Sequence, residues 1–168
     1  MNRVRVNGNV ADFILAQLAE WGVERIYGVR GDAISPLMDA LAHQQKIEFI
    51  AATNESNAAF MAVYEARLTG RLSVCTASAG PGAVSLLNGL ADACLDGSPV
   101  LAITGQVETK KIGAKTKQYF DQQLLYSSFF KFTSLLIEPV SVAKILALAA
   151  REAYLDFCLL YTSDAADE

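Results

Sequence analysis

One carboxylate and two glycine-bearing turns set what chemistry this chain could carry. Glu55 follows the apolar run Ile47-Glu-Phe-Ile-Ala-Ala52 and precedes the helical pattern Ala58-Ala-Phe-Met-Ala-Val-Tyr-Glu-Ala66. It therefore stands where a strand hands over to a helix, the end of a parallel sheet at which ligands bind. Ser78-Ala-Gly-Pro-Gly82 makes a second such handover, after the strand-like Leu72-Ser-Val-Cys-Thr76. Gly28-Val-Arg-Gly-Asp32 makes a third. Each has a plain structural role. A glutamate at a helix start is stabilised by the macrodipole, by about 0.3–1 kcal/mol, and glycines suit tight turns. Their functional reading is a carboxylate beside backbone that a ligand can approach closely.

Other chemistries are excluded by what the sequence lacks. The one histidine, His43, reads as solvated, which leaves none for a Ser-His-Asp triad, and there is no Cys/His cluster for zinc. Neither GxGxxG nor GxxxxGK[ST] occurs. The net charge of −4 argues against a nucleic-acid partner. No apolar run reaches the ~18–20 residues of a membrane span. Met1-Asn-Arg-Val-Arg-Val has no apolar core behind its arginines, so no signal peptide is expected and the cytoplasm is the default location. Cys75, Cys94 and Cys158 have no CxxC spacing and read as reduced, mostly buried thiols. His43 reads as a solvated surface residue.

The elements that must position these turns follow from periodicity. Val10–Trp21 is an amphipathic helix capped by Asn9 and stopped at Gly22. Strands are expected at 25–29, 47–52, 72–76 and 99–104, alternating with helices at 34–43, 55–68 and 82–95. A composition with 52% hydrophobic residues and this alternation imply an α/β domain, a parallel sheet with helices on both faces. Beyond Gly105 the pattern loosens. Gln106–Gln118 carries Lys110, Lys111, Lys115 and Lys117 and reads as a solvated loop. A short helix at 121–130, a strand at 132–137 and a final helix from Pro139 over 140–153 complete the chain. Tyr126, Phe129, Phe130 and Phe132 read as core packing.

Cys158–Glu168 resembles the translation of a transposon-type sequencing adapter. On that reading it is not native and packs against nothing. Residues 1–157 are then one domain, incomplete at its C-terminus and lacking its last strand.

Taken in order, Gly28-Val-Arg-Gly-Asp32, Asn54-Glu55 with Ala58-Ala59, Ser78-Ala-Gly-Pro-Gly82 with Leu87-Asn-Gly-Leu-Ala-Asp-Ala93, and Pro99-Val-Leu-Ala-Ile-Thr-Gly-Gln106 resemble the pyrimidine-binding domain of thiamine diphosphate enzymes. The resemblance covers about residues 8–155 and is nearest to pyruvate oxidase, quinone-dependent pyruvate dehydrogenase and acetolactate synthase. It implies that Glu55 hydrogen-bonds N1′ of the aminopyrimidine and favours the imino tautomer, which takes the thiazolium C2 proton. The resulting carbanion attacks a 2-oxo acid. It further implies that Val29, Arg30 and Gly31 line the cofactor pocket. Ser78, Pro81 and Ser85 meet the pyrimidine, Asp32 and Ala33 lie toward substrate, and Gln118 faces the reacting centre.

The same resemblance implies a homodimer or homotetramer of a longer parent. Thiamine diphosphate and Mg²⁺, and in some relatives FAD, are held partly by other domains. Oxidative decarboxylation of pyruvate or a related 2-oxo acid is the expected reaction, with acetolactate-type carboligation as the alternative. A non-catalytic binding or assembly domain and a nucleotide-binding oxidoreductase are the readings of other classes. The fragment alone is expected to be inactive. Departures bear on substrate: Arg30 stands where many relatives have proline, and Asn54-Glu55-Ser56 where they have His-Glu-Glu or His-Glu-Gln. Asp32-Ala33 replaces a small pair, and Lys117-Gln118-Tyr119 replaces Phe-Gln-Glu. The adjacent histidines of aldehyde-releasing decarboxylases are missing.

Overall fold

The computed structural model describes residues 8–130, 132–155 and 159–164, the last by backbone alone. Asn9 opens the first helix, α1 (Val10–Glu20), through a capping box: its side chain accepts from the Asp12 amide, and Asp12 accepts from the Asn9 amide. The chain turns at Gly22 (φ 82°) into β1 (Arg25–Gly28). A 3₁₀ turn at Asp32–Ile34 leads into α2 (Ser35–Ala42), then β2 (Glu48–Ala51). Next come α3 (Glu55–Thr69), β3 (Ser73–Ala77), α4 (Pro81–Asp96) and β4 (Val100–Gln106). The remainder is α5 (Gln122–Ser127), β5 (Phe132–Leu136), α6 (Val142–Tyr154) and β6 (Leu159–Asp164).

The strands form one six-stranded sheet in the order β2-β1-β3-β4-β6-β5, every neighbouring pair parallel. Alternate residues feed two cores. Ile26, Val74, Leu101 and Ile103 point toward α1, α2 and α6, joining Ile14, Leu15, Leu18, Leu41 and Leu146. Tyr27, Cys75, Ala77, Val100 and Ala102 point toward α3, α4 and α5, joining Ala58, Ala59, Ala62, Ala83 and Leu86. Burial on both faces is why these strands read as unbroken apolar runs. On the second face the helices come very close. A Cβ on Gly89 of α4 would stand 2.6 Å from the Ala59 Cβ and 2.7 Å from the Phe60 backbone nitrogen of α3.

Three expectations are corrected. The tail does pack: β6 fills the place between β4 and β5, from Leu101 opposite Leu159 to Gln106 opposite Asp164. The physical reason is that parallel strands with unpaired backbone groups accept any extended segment of adequate β-propensity, and Leu-Leu-Tyr-Thr is one. Phe129 is 50% exposed, while Tyr126 and Phe130 are buried as expected. Its place at the C-terminal end of α5, beyond the buried Tyr126, takes it out of the core. Pro139 opens a 3₁₀ turn (Pro139–Ser141) ahead of α6. Cys75 is buried and Cys94 half-buried, whereas Cys158 and Met1–Val6 lie outside the described residues. His43 is exposed, with Nδ1 2.8 Å from the Asp39 carbonyl.

Candidate functional site

Strand order reverses between β1 and β3: β1 is followed outward by β2, and β3 leads toward β4. The helix after β1 covers one face and the helix after β3 the other. Connections that diverge in this way open a crevice beyond the carboxyl ends of the two strands. The turns at residues 29–33, 52–54 and 78–80 and the long loop at 107–121 all lie at this edge.

Missing side chains bring the turns together. At Gly31, a Cβ would stand 2.6 Å from the Ser78 Oγ, so the β1 and β3 turns touch. Gly105, at the end of β4, would meet the Ala33 carbonyl oxygen at 2.6 Å. Gly80 has φ 72°, and a Cβ there would stand 2.9 Å from the Gln118 carbonyl oxygen. Alanine would therefore be strained by its own backbone as well as by its neighbour.

Glu55 is the first residue of α3, capped by Asn54, whose side chain accepts from the Ser56 amide at 2.8 Å. A Cβ on Gly82 would stand 2.9 Å from Glu55 Oε1, so the carboxylate lies against the first turn of α4. It is half-buried at the positive ends of two helix dipoles. Among the described residues no hydrogen bond or ion pair engages it. A polar clamp beside it joins the two helices. Ser56 Oγ donates to the Ser85 carbonyl at 2.7 Å, and Asn88 Nδ2 donates to Ser56 Oγ at 3.1 Å.

Of the other expected site residues, Gly31 and Ser78 meet in the crevice, and Gln118 joins them through Gly80. Gln118 is exposed and holds a left-handed backbone, φ 67°. Ser85 turns its hydroxyl onto its own helix, donating to the Pro81 carbonyl at 3.0 Å. Pro81 is exposed and Val29 half-buried. The Arg30 guanidinium lies 5.8 Å from the Phe49 ring centroid, over β2. Asp32 is exposed at the start of its 3₁₀ turn.

Three residues fix the long loop, Gln122 among them without any expected role. Buried Gln122 accepts from Thr104 Oγ1 at 2.7 Å and donates to the Gly105 carbonyl at 2.8 Å. Gln106 Nε2 donates to the Phe120 carbonyl at 3.3 Å. The Tyr126 hydroxyl donates to the Ala83 carbonyl in the first turn of α4. A glutamine just inside a short apolar helix, as Gln122 is, was the available signal. Within the loop, hydrogen bonds from Lys110 and Lys111 hold the Glu108 carboxyl down to about 2. A separate groove of about 560 Å³ lies between α1 and the end of α2, lined by Leu15, Ala16, Ala40, His43 and Lys46. It is removed from these turns.

A parallel α/β domain with a free carboxylate and glycine turns at the switch point is a cofactor-binding domain in its architecture. Comparison with known proteins makes the class particular. Residues 8–126 match the family described as thiamine pyrophosphate enzyme, N-terminal TPP binding domain. The chain belongs to that family. It is 41% identical over 138 residues to a putative thiamine pyrophosphate-containing protein, YdaP, of Bacillus subtilis, covering 82% of this chain and 24% of that protein. It is 35% identical over 142 residues to pyruvate oxidase of Lactiplantibacillus plantarum, covering 84% and 24%. With acetolactate synthase isozyme 2 large subunit of Escherichia coli it shares 43% over 113 residues, covering 67% and 20%. The chain thus spans about a quarter of the length of the curated relatives it matches. No helix among the described residues is long and apolar enough to cross a membrane.

Proposed function

We propose that residues 1–157 form the aminopyrimidine-binding domain of a thiamine diphosphate enzyme that oxidatively decarboxylates pyruvate or a related 2-oxo acid, and that residues 158–168 are not native to it. The observation that carries the functional reading is Glu55. Its carboxylate is half-buried, unpartnered among the described residues, and faces space kept open by the missing side chain of Gly82. A flat aromatic ring with a basic nitrogen is the ligand that such a carboxylate would suit. Diphosphate, Mg²⁺ and any FAD are, on this reading, held by other domains of the longer protein.

When bound, thiamine diphosphate supplies an acidic thiazolium carbon and an electron sink for decarboxylation. Glu55 holds a proton at the ring nitrogen N1′, which a neutral side chain cannot share in the same way. Asn54 and the Ser56–Asn88 clamp keep the first turn of α3 in register with α4, so the carboxylate is positioned before the ring arrives. Gly31, Ser78 and Pro81, with Val29, Arg30 and Ser85 around them, bound the ring. Asp32, Ala33 and Gln118 stand toward the substrate.

The exposed Phe60, Met61, Tyr64 and Leu68 of α3, with Val84 and Leu95 of α4, support a second chain covering this face, as a homodimer or homotetramer requires. The 168-residue chain alone is expected to show no turnover. The test is C2-proton exchange of bound thiamine diphosphate in the full-length protein, followed by NMR. Exchange should slow sharply in Glu55→Gln, and equal rates would remove Glu55 from the chemistry. The likeness to acetolactate synthase favours a second reading, carboligation. Acetolactate formed from pyruvate with no electron acceptor reduced would establish it over oxidation.

A further inference from the structure

We propose that the lysine-bearing loop at residues 107–121 is the anion-recruiting element of this site, drawing the carboxylate of the substrate to the crevice through Lys115 and Lys117. The proposal rests on the 2-oxo acid reading above. Four lysines fall within this loop of a chain whose net charge is −4, or −1 without Asp164, Asp167 and Glu168. Glu108 is occupied by two of them, with contacts of 2.6 Å to both Lys110 and Lys111. Lys115 and Lys117 are exposed, and among the described residues neither pairs with a carboxylate. The loop is thus a positive island at the carboxyl edge of an otherwise acidic domain.

Its position is imposed rather than accidental. One end is held by Gln106 and the other by Gln122 and Tyr126, and Gln118 is seated on Gly80 beside the β3 turn. Between these anchors the loop carries features that local energetics disfavour. Gln118 sits at φ 67° without being glycine, and Thr116 Oγ1 is buried with no hydrogen-bond partner among the described residues. A loop free to choose its shape would relieve both. The anchors instead hold the segment that carries Lys115 and Lys117, which flank Thr116, at the carboxyl edge of the sheet, where the next residue, Gln118, meets Gly80. Fixed charge of one sign at the mouth of a cleft raises the local concentration of the oppositely charged ligand. The cofactor diphosphate is also an anion, but the proposal commits to the substrate.

The test uses the full-length protein loaded with thiamine diphosphate and Mg²⁺, and the double variant Lys115→Gln/Lys117→Gln. For pyruvate at low salt, kcat/KM should fall about threefold to tenfold in the variant, with kcat unchanged. The wild-type value should drop as salt rises and screening sets in, while the variant stays nearly flat. Methyl pyruvate, which has no charge and cannot lose CO₂, serves as a competitive inhibitor and should show the same inhibition constant with both. Lys115→Arg/Lys117→Arg should restore the wild-type salt slope. Equal kcat/KM and equal salt slopes for pyruvate would overturn the proposal, as would a loss confined to the affinity for thiamine diphosphate. A wild-type protein that turns over no 2-oxo acid would instead remove the functional reading itself, and this proposal with it.

Discussion

The two faces of the sheet are built on different terms. Toward α1, α2 and α6 the core is made of leucine and isoleucine, large side chains filling a wide gap. Toward α3, α4 and α5 it is made largely of alanine, with Gly89 letting two helices nearly touch. The first arrangement gains its stability from buried area. The second gives up area for proximity, and proximity is what sets Glu55 against the first turn of α4. Bulk stabilises the domain on one face, and small residues place Glu55 on the other.

The sharpest break in that comparison is Glu55→Gln, which should leave folding nearly intact while lowering kcat of the full-length protein by about 10²–10⁴-fold, roughly 3–5 kcal/mol of barrier. Steady-state rates together with a melting curve separate the two effects. On the opposite face, Leu18→Ala should do the reverse. Leu18 is fully buried, and its truncation should cost about 2–5 kcal/mol in denaturant unfolding with little change in the cofactor edge.

A third prediction uses pH. Burial pushes the Cys75 thiol on the small-residue face up to about 12. Its folded value lies above its unfolded one, so this contribution is complete below about pH 9 and is lost as pH climbs toward 12. The slope is about 1.4 kcal/mol per pH unit. Unfolding of wild type and Cys75→Ala between pH 8 and 11 should converge by that amount, and parallel curves would count against it.

Gly89→Ala should cost about 1–3 kcal/mol, because the new methyl meets the α3 backbone, which cannot step aside. The same change should lower kcat, since α3 carries Glu55. A stability loss without a kinetic one would uncouple packing from placement. The smallest effect belongs to Tyr126→Phe, about 0.5–1.5 kcal/mol for one hydrogen bond to the Ala83 carbonyl.

Much of this was legible in the sequence, for identifiable reasons. Strands buried on both faces announce themselves as apolar runs, and Asn9, Gly22, Gly70 and Gly97 mark helix limits by local chemistry. The helix starting at Glu55 and the strand at Phe132–Leu136 stand where periodicity puts them. What escaped depends on partners distant in the chain. Nothing near Gln122 reveals that Thr104 and Gly105 will be its partners, and nothing near Ser56 reveals Ser85 and Asn88. The strand at Leu159–Asp164 escaped because its pairing depends on β4 and β5, which lie far from it in the chain.

The near-contact at Gly89 also has a mechanical meaning. Two helices with backbone atoms this close, and a polar clamp at one end, cannot slide past one another without collision. They behave as a single lever. The turns before them, at residues 52–54 and 78–80, are the two jaws at its tip. A displacement of one jaw is then expected at the other and, through Gly80, at Gln118, so Gly89→Ala should alter the response to every ligand at this edge at once.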